Sequence, residues 1–340
     1  MIVPLFLPHL GCGERCAYCN QDLITGSEKG GGSLEERIDA LLAPLDAPAE
    51  VALYGGNVLG LDAPRLDGLF RLFEPYRDKI SHLRISAKPG PLDATVLELL
   101  KRHGVRTVEL GIPTFNDDIL AALGRRHTAD DLFLAYRILR EEGFHTGLQV
   151  MVGLPGETPR DLRQTASAVA GLAPAFIRIY PLLVIEDTGL YCQLRKGRFS
   201  PDSMESAVAK TAFIFVSAWD HGIKTIKMGL TENEALRRKI AAGPFHPAFG
   251  ALVKSEAFYL AALRKCRQAG ITGSALMRVH PRDVPHLTGY KRANLSRLKA
   301  AGITAAWKEE GTMEKDRFVI EAGGKRVKGS LADALAMLPF

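Results

Sequence analysis

Cys12, Cys16 and Cys19 form a CxxxCxxC run near the start of the chain. Three thiolates spaced in this way let one tight loop reach three corners of a cubane [4Fe-4S] cluster. The fourth iron then lacks a protein ligand, because Cys192 and Cys266 lie far along the chain. A cluster used only for electron transfer takes a fourth cysteine. An open iron can instead chelate the amino and carboxylate groups of S-adenosylmethionine (SAM), so that an electron from the cluster splits the sulfonium and yields a 5'-deoxyadenosyl radical. The competing arrangement is a zinc site built from the same cysteines with His9 or Cys192. Structural zinc loops more often pair Cys-x2-Cys knuckles than use this three-then-two run. Tyr18, between the second and third thiols, suits shielding of a cluster from water and equally suits ordinary core.

Further candidates fall where short apolar runs end. Gly55 and Gly56 lack a Cβ, which lets backbone approach a ligand closely, and Asn57 follows them. Ser86 and Lys88 precede Pro89. Glu109 precedes Gly111 and could accept hydrogen bonds from ribose hydroxyls, or could form an ordinary salt bridge. Gln149 offers both a donor and an acceptor to adenine or ribose, while Met151 and Val152 are core by type, with Val152 able to flank an adenine. Arg178 and Tyr180 are alternate residues that point to one side of a strand. Arg178 could bind a carboxylate or phosphate bidentately, or form a buried ion pair. His127, after Arg125 and Arg126, and His246 could carry protons or be plain loop histidines. The catalytic candidates are therefore Arg178, Tyr180, Lys88 and His127; the cofactor-binding candidates are Gly55, Gly56, Asn57, Ser86, Lys88, Glu109, Gln149 and Val152.

These residues need a scaffold that gathers strand ends. Apolar or β-branched runs alternate with amphipathic helical stretches, the pattern of βαβ units on a parallel sheet. Strands are expected at Ile2 to Leu7, Glu50 to Tyr54, Leu83 to Ser86, Thr107 to Gly111, Thr146 to Val152 and Phe176 to Tyr180. Helices are expected at Leu34 to Leu42, Pro64 to Tyr76, Asp93 to His103, Ala129 to Glu142 and Arg160 to Gly171. A helix over Ser203 to His221 and a strand over Ile223 to Met228 would close or extend the array. Six successive units with short connections favour a partial (β/α)6 TIM-like barrel over a doubly wound sheet, and both gather ligands at the C-terminal strand ends. After a break over Asn233 to Phe249 come a helix (Ala251 to Ala269), a strand (Ser274 to Val279), a second helix (Gly289 to Ala301) and hairpin-like pieces around Trp307 and Phe318. The organisation expected is a barrel over 1–242 and a small C-terminal α/β appendage over 243–340.

Hydrophobic residues at 46% and charged residues at 24% are ordinary for a soluble globular protein. No apolar run approaches the roughly 18 residues that a membrane span needs. MIVPLFLPHLG lacks a basic leader and a small-residue cleavage site. Five cysteines, an odd number, argue against a secreted disulfide framework, so a reducing cytoplasmic setting is expected. The net charge of +6 admits an anionic partner. From Arg278 to Lys328 there are 12 Lys and Arg against 6 Asp and Glu, with Lys291, Arg292, Arg297 and Lys299 near one helix. These cations could meet RNA phosphates or simply form a solvated surface.

PHLGCGERCAYCNQ, LYGGN, RISAKPG, VELGIPT, RRHT, GLQVMVGLPGET and IRIYPLLVIEDT occur in that order. Over about residues 1 to 230 the chain thereby resembles the radical SAM superfamily, in particular the radical SAM domain of the Elongator catalytic subunit and oxygen-independent coproporphyrinogen III oxidase-like proteins. The resemblance implies that Cys12, Cys16 and Cys19 carry the cluster, that Gly55 and Gly56 hold the methionyl end of SAM, and that Gln149 lies in the segment meeting its nucleoside. It implies an oxygen-sensitive enzyme with a low-potential electron donor such as ferredoxin or flavodoxin. The substrate would be a small molecule or an RNA; a non-catalytic iron-sulfur or zinc-binding protein is the alternative outside enzymology. Three departures bear on substrate. Asn57-Val58-Leu59 replaces the Ser-Phe-Thr common after the glycine pair. Ser86-Ala87-Lys88-Pro89-Gly90 replaces Ser-Thr-Arg-Pro-Asp, and Pro113-Thr114 replaces Gln-Ser. No acetyltransferase domain is recognisable after the Elongator-like stretch, so acetyl-CoA chemistry does not carry over.

Overall fold

The computed structural model describes residues 1–25, 32–231 and 233–340. Seven strands, β1 (Ile2–Phe6), β2 (Ala49–Tyr54), β3 (Ile80–Ala87), β4 (Val105–Gly111), β5 (His145–Val152), β6 (Phe176–Pro181) and β8 (Lys224–Met228), form one all-parallel sheet. Its order, β1-β2-β3-β4-β5-β6-β8, follows the chain without reversal. A doubly wound sheet would turn back at a switch point; this one winds in a single direction, giving the partial barrel expected, with the strand at Lys224–Met228 extending it. Its edges, β1 and β8, do not pair with each other. Between β6 and β8 a short strand, β7 (Val184–Ile185), pairs antiparallel with β9 (Ile240–Ala242).

Local chemistry sets the helix starts. α1 (Gln21–Thr25) follows the cysteine loop. Ser33 and Glu36 form a reciprocal capping box on α2 (Leu34–Leu42), and Asp62 caps α3 (Ala63–Arg71). Asp93 caps α4 (Ala94–Arg102) and Asn116 caps α5 (Asp117–Ala122). Capping boxes recur as Thr128 with Asp131 on α6 (Ala129–Glu141) and Thr158 with Asp161 on α7 (Pro159–Leu172). Thr188 and Ser203 cap α8 (Gly189–Arg195) and α9 (Met204–Asp220). α3 stops at Arg71, short of the expected Tyr76, where Pro75 opens a 3-10 segment.

Beyond α10 (Glu234–Lys239) and β9, α11 (Phe249–Gln268) packs on α9. It carries a four-stranded sheet ordered β11-β10-β12-β13, from β10 (Gly273–Val279), β11 (Ile303–Glu309), β12 (Arg317–Ala322) and β13 (Lys325–Ser330). Trp307 lies on a strand parallel to β10, so it is not part of a hairpin; the hairpin is β12–β13, turned by Gly323 and Gly324 at positive φ. The helix expected over Gly289 to Ala301 begins only at Ala293, as α13 (Ala293–Ala300); a turn separates it from a short helix, α12 (Val284–Thr288), that precedes the expected range. Gly289, Lys291 and Arg292 all take positive φ, which no continuous helix admits. One apolar core runs without interruption from Leu53, Leu110 and Leu148 of the barrel to Phe258 and Phe318 beyond Gly243. Among the described residues no helix is long and apolar enough to cross a membrane.

Gly147 on β5 shows how tightly the sheet meets its covering side chains: a Cβ there would lie 2.2 Å from the Phe176 ring. Gly147→Ala should cost ~1–3 kcal/mol through overpacking. Urea unfolding followed by circular dichroism measures this, and an unchanged midpoint contradicts it.

Candidate functional site

The cysteine loop starts where β1 runs out. Leu7 N–H still donates to Tyr54 O at 2.6 Å, and His9 N–H then donates to Gly55 O at 3.0 Å. His9 and Gly11 take positive φ, turning the chain back so that Asn57 N–H donates to Leu10 O at 2.8 Å. The loop thus stacks backbone to backbone on residues 55–60. A Cβ on Gly11 would lie 2.1 Å from Asn57 O; on Gly60, 2.1 Å from Gly11 O; on Gly56, 2.5 Å from Leu10 O. The close backbone approach expected at Gly56 is therefore made by the cysteine loop itself. On its far side the loop is pinned by Ala17 N–H to Leu123 O at 2.9 Å and by Leu190 N–H to Ala17 O at 2.7 Å, at the ends of α5 and α8.

Cys16 is buried, and Cys12 and Cys19 are half-buried. Gln21 Nε2 donates to Cys19 Sγ at 3.2 Å, and Arg125 Nη1 approaches Cys16 Sγ at 3.6 Å and Tyr18 Oη at 3.3 Å. Arg125 is 9% exposed; its Nη2 donates to Gly111 O, while its Nε has no hydrogen-bond partner among the described residues. Burial, reinforced by the Cys16 charge, pushes the Cys19 thiol up to about 12, and burial raises Cys12. Metal binding must therefore displace protons. Three thiols on one loop, side-chain donors aimed at sulfur and a buried cation suit an anionic iron-sulfur cluster. The zinc alternative fares worse. His9 Nε2 accepts from Gln21 N–H at 3.3 Å and faces Asp22, and Cys192 is exposed on α8.

Two of the positions that depart from relatives are joined. Asn57 Oδ1 accepts from Lys88 N–H at 2.9 Å, and Lys88 Nζ reaches Glu14 Oε1, inside the cysteine loop, at 2.8 Å. The hydrogen bond from Lys88 holds the Glu14 carboxyl below its ordinary range. Lys88 therefore ties the end of β3 to the loop between Cys12 and Cys16.

Inside the barrel, side chains from five neighbouring strands converge on Glu109, which is 0% exposed. Its Oε1 accepts from Tyr54 Oη at 2.9 Å, Arg84 Nη1 at 2.8 Å and Arg178 Nη2 at 3.0 Å; its Oε2 accepts from Gln149 Nε2 at 2.7 Å. Gln149 also reaches Ser86 Oγ at 3.2 Å, and Arg84 Nε pairs with Glu50 at 2.5 Å. Burial pushes Glu109 up, but the Arg178 charge and the hydrogen bonds from Arg84, Arg178 and Gln149 more than reverse this, so it stays ionised below its ordinary range. Glu109 thus has protein donors where ribose hydroxyls were expected, and Arg178 is held in a buried ion pair instead of standing free for a ligand. Tyr180, raised to about 12 by burial, lies beside Arg178. Val152 is fully buried core, not an exposed flank. Tyr54, Arg84 and Arg125 escaped the sequence reading. Tyr54 carried a weak signal at the end of a mostly apolar strand, whereas Arg84 is one of several polar residues of β3.

The structure therefore divides the catalytic candidates. Arg178 and Tyr180 belong to the interior network; Lys88 and His127 stand around the cysteine loop with Arg125. His127 is 8% exposed, and burial with the neighbouring Arg125 and Lys88 charges lowers it to about 4. It is neutral at pH 7 and can accept a proton there but not donate one as imidazolium.

Two consequences are measurable. Glu109→Gln leaves buried guanidinium charge uncompensated and should cost ~3–5 kcal/mol in urea unfolding. Because His127 titrates below its ordinary 6.5, its contribution to stability is complete above that pH and is lost as pH falls through about 4. Thermal melts of wild type should decline across this window more steeply than those of His127→Asn; parallel declines contradict a neutral, buried His127.

Comparison with known proteins agrees with this geometry. The model of the radical SAM superfamily matches residues 7–169, and that of the radical SAM C-terminal domain matches residues 174–258. The heme chaperone HemW of Bacillus subtilis is 29% identical over 223 residues, covering 62% of this chain and 59% of HemW. The tRNA uridine(34) acetyltransferase of Methanocaldococcus jannaschii is 28% identical over 152 residues, covering 44% of this chain and 28% of that protein. The chain thus spans well under two thirds of either relative. Among solved structures, the archaeal Methanocaldococcus infernus Elp3 with an N-terminal deletion superposes with a TM-score of 0.56 at 18% identity, covering 79% of this chain and 63% of that one. Coproporphyrinogen III oxidase (HemN) from Escherichia coli gives 0.51 at 19% identity, covering 65% and 53%; both likenesses concern the fold. The cofactors of such proteins, a [4Fe-4S] cluster and SAM, match the thiol loop and its buried cation. By its cysteine loop, its singly wound partial barrel and both family models, this chain belongs to the radical SAM superfamily.

Proposed function

We propose that the chain is an enzyme that cleaves SAM reductively and uses the product to abstract hydrogen from an unactivated C–H bond. The observation that carries this reading is the backbone interlock of Gly11, Gly56 and Gly60, which fixes Cys12, Cys16 and Cys19 at the C-terminal rim of the barrel. When bound, the cluster supplies an electron, delivered by a low-potential donor such as ferredoxin or flavodoxin, that converts SAM to methionine and a 5'-deoxyadenosyl radical. The chain's own residues do the rest. The three cysteines hold the metal. Arg125, buried with its Nη1 beside Cys16, would set its positive charge against the sulfurs of the cluster. Gly55 and Asn57 border the methionyl end, and Lys88 holds the loop through Glu14. Gln149, oriented by Glu109 and Ser86, faces the nucleoside side, and Glu109 keeps Arg178 and Tyr54 in place across the floor. Glu109, at the centre of that floor, is fully buried and accepts four hydrogen bonds, which helps keep water from a reactive radical.

A second reading concerns the substrate. The basic stretch from Arg278 to Lys328, together with the tRNA-directed name of one relative, supports an RNA. Arg297 is not part of that support, because it pairs bidentately with Glu256 at 2.5 and 2.9 Å and stacks over Tyr259.

Anaerobically reconstituted protein given dithionite and SAM should release 5'-deoxyadenosine, and Cys16→Ala should not. The same preparation should hold about four Fe per chain. Reconstituted wild type that binds iron but leaves SAM intact sinks the catalytic reading and leaves a cluster-binding protein.

A further inference from the structure

Between α12 and α13 the chain makes a turn that its sequence resists. Gly289 (φ 77°), Lys291 (φ 50°) and Arg292 (φ 61°) take positive φ, a strained choice for the two long side chains. A buried residue imposes it. Asn294, 3% exposed, donates through Nδ2 to Ser255 O at 2.8 Å, Ser255 Oγ at 2.9 Å and His286 O at 3.0 Å, fixing the start of α13 to α11 and α12. The turn closes over it: a Cβ on Gly289 would lie 2.9 Å from the Asn294 side chain. Arg292 N–H completes the turn by donating to Gly289 O at 3.0 Å.

This rigid knuckle presents Tyr290, 62% exposed, followed by exposed Lys291 and Arg292. Lys291 Nζ sits 5.4 Å from the centre of the Tyr290 ring, and neither cation has a carboxylate partner among the described residues. By contrast Arg278, Arg297 and Arg317 nearby are all ion-paired. His246 meets the same ring edge-on at 6.2 Å. His246 belongs to the segment whose Gly243 packs on Leu182 and Leu183, just past β6, and whose Gly250 packs on Met228 at the end of β8. The knuckle therefore stands beside the C-terminal rim of the barrel, the rim that carries the cysteine loop.

We propose that Tyr290, Lys291 and Arg292 form a docking knuckle for single-stranded RNA at the barrel rim, the ring stacking on a base while the two cations meet flanking phosphates. This rests on the RNA reading of the substrate. An exposed aromatic followed by two unpaired cations matches a nucleotide, which offers a π-face and an anion within one step. A lipid surface would ask for a wider apolar face than one ring.

The test uses full-length reconstituted protein and a fluorescein-labelled oligouridine, read by anisotropy at about 50 mM salt, where phosphate contacts are strongest. Wild type should bind. Tyr290→Ala should weaken binding roughly tenfold, with Tyr290→Phe close to wild type. Lys291→Ala/Arg292→Ala should lower the slope of log affinity against log salt by about 1.4, two single-strand contacts at about 0.7 each. Lys101→Ala, on α4 and outside the basic stretch, should change neither. Absence of wild-type binding, equal loss in Lys101→Ala, or capture of phosphatidylserine vesicles in place of the oligonucleotide overturns the proposal. Binding is read without SAM, so a chain that releases 5'-deoxyadenosine but ignores RNA refutes the knuckle alone. A chain that binds RNA through these residues but leaves SAM intact refutes the catalytic reading alone.

Discussion

Everything at the rim depends on a place where two backbones touch with no side chain between them. The turn from Leu10 to Cys12 and the turn from Gly55 to Gly60 interlock through positions that tolerate no Cβ. The cysteine loop has no regular secondary structure of its own, so its shape is borrowed from β2 and the turn after it. The hydrogen bonds to Leu123 and from Leu190 extend the same principle, fixing the loop's other side to the ends of two helices. A loop assembled from remote parts in this way can hold three soft ligands in fixed relation before any metal arrives.

The barrel interior answers a different problem. Parallel strands with both faces covered leave no water for polar side chains, yet five neighbouring strands here each contribute one. They survive because the charges cancel locally: Glu109 lies between Arg84 and Arg178, and Arg84 also reaches Glu50. Buried ion pairs of this kind rarely add much net stability. What they provide is order, since each side chain's rotamer is fixed by its neighbours. Gln149 is thereby presented in one orientation.

Much of the framework was legible in the sequence because apolar periodicity and capping residues agree along the barrel. The expected strands and helices recur within a few residues, and the cysteine spacing pointed to the site. Side-chain destinations were harder to read. Glu109 at a strand end looks like a ligand group in one dimension, and only the pairing of β3, β4, β5 and β6 reveals that protein donors surround it. Arg125 could not be distinguished from Arg126 by type; one is buried against Cys16 and the other exposed, a difference set by the end of α5. The late start of α13 was equally hidden, because the turn before it goes with Asn294 reaching across to α11 and not with any helix breaker beyond Gly289.

The sequential strand order also sets a timetable. Cys12, Cys16 and Cys19 are made before every strand of the sheet except β1. Gly55 to Gly60, the surface that shapes the loop, follows β2, whereas Leu123 and Leu190 arrive only after α5 and β7 have been made. During synthesis the three thiols are therefore present long before the walls that confine them. The ligands of the site precede most of the sheet, and its last confining contact waits for α8.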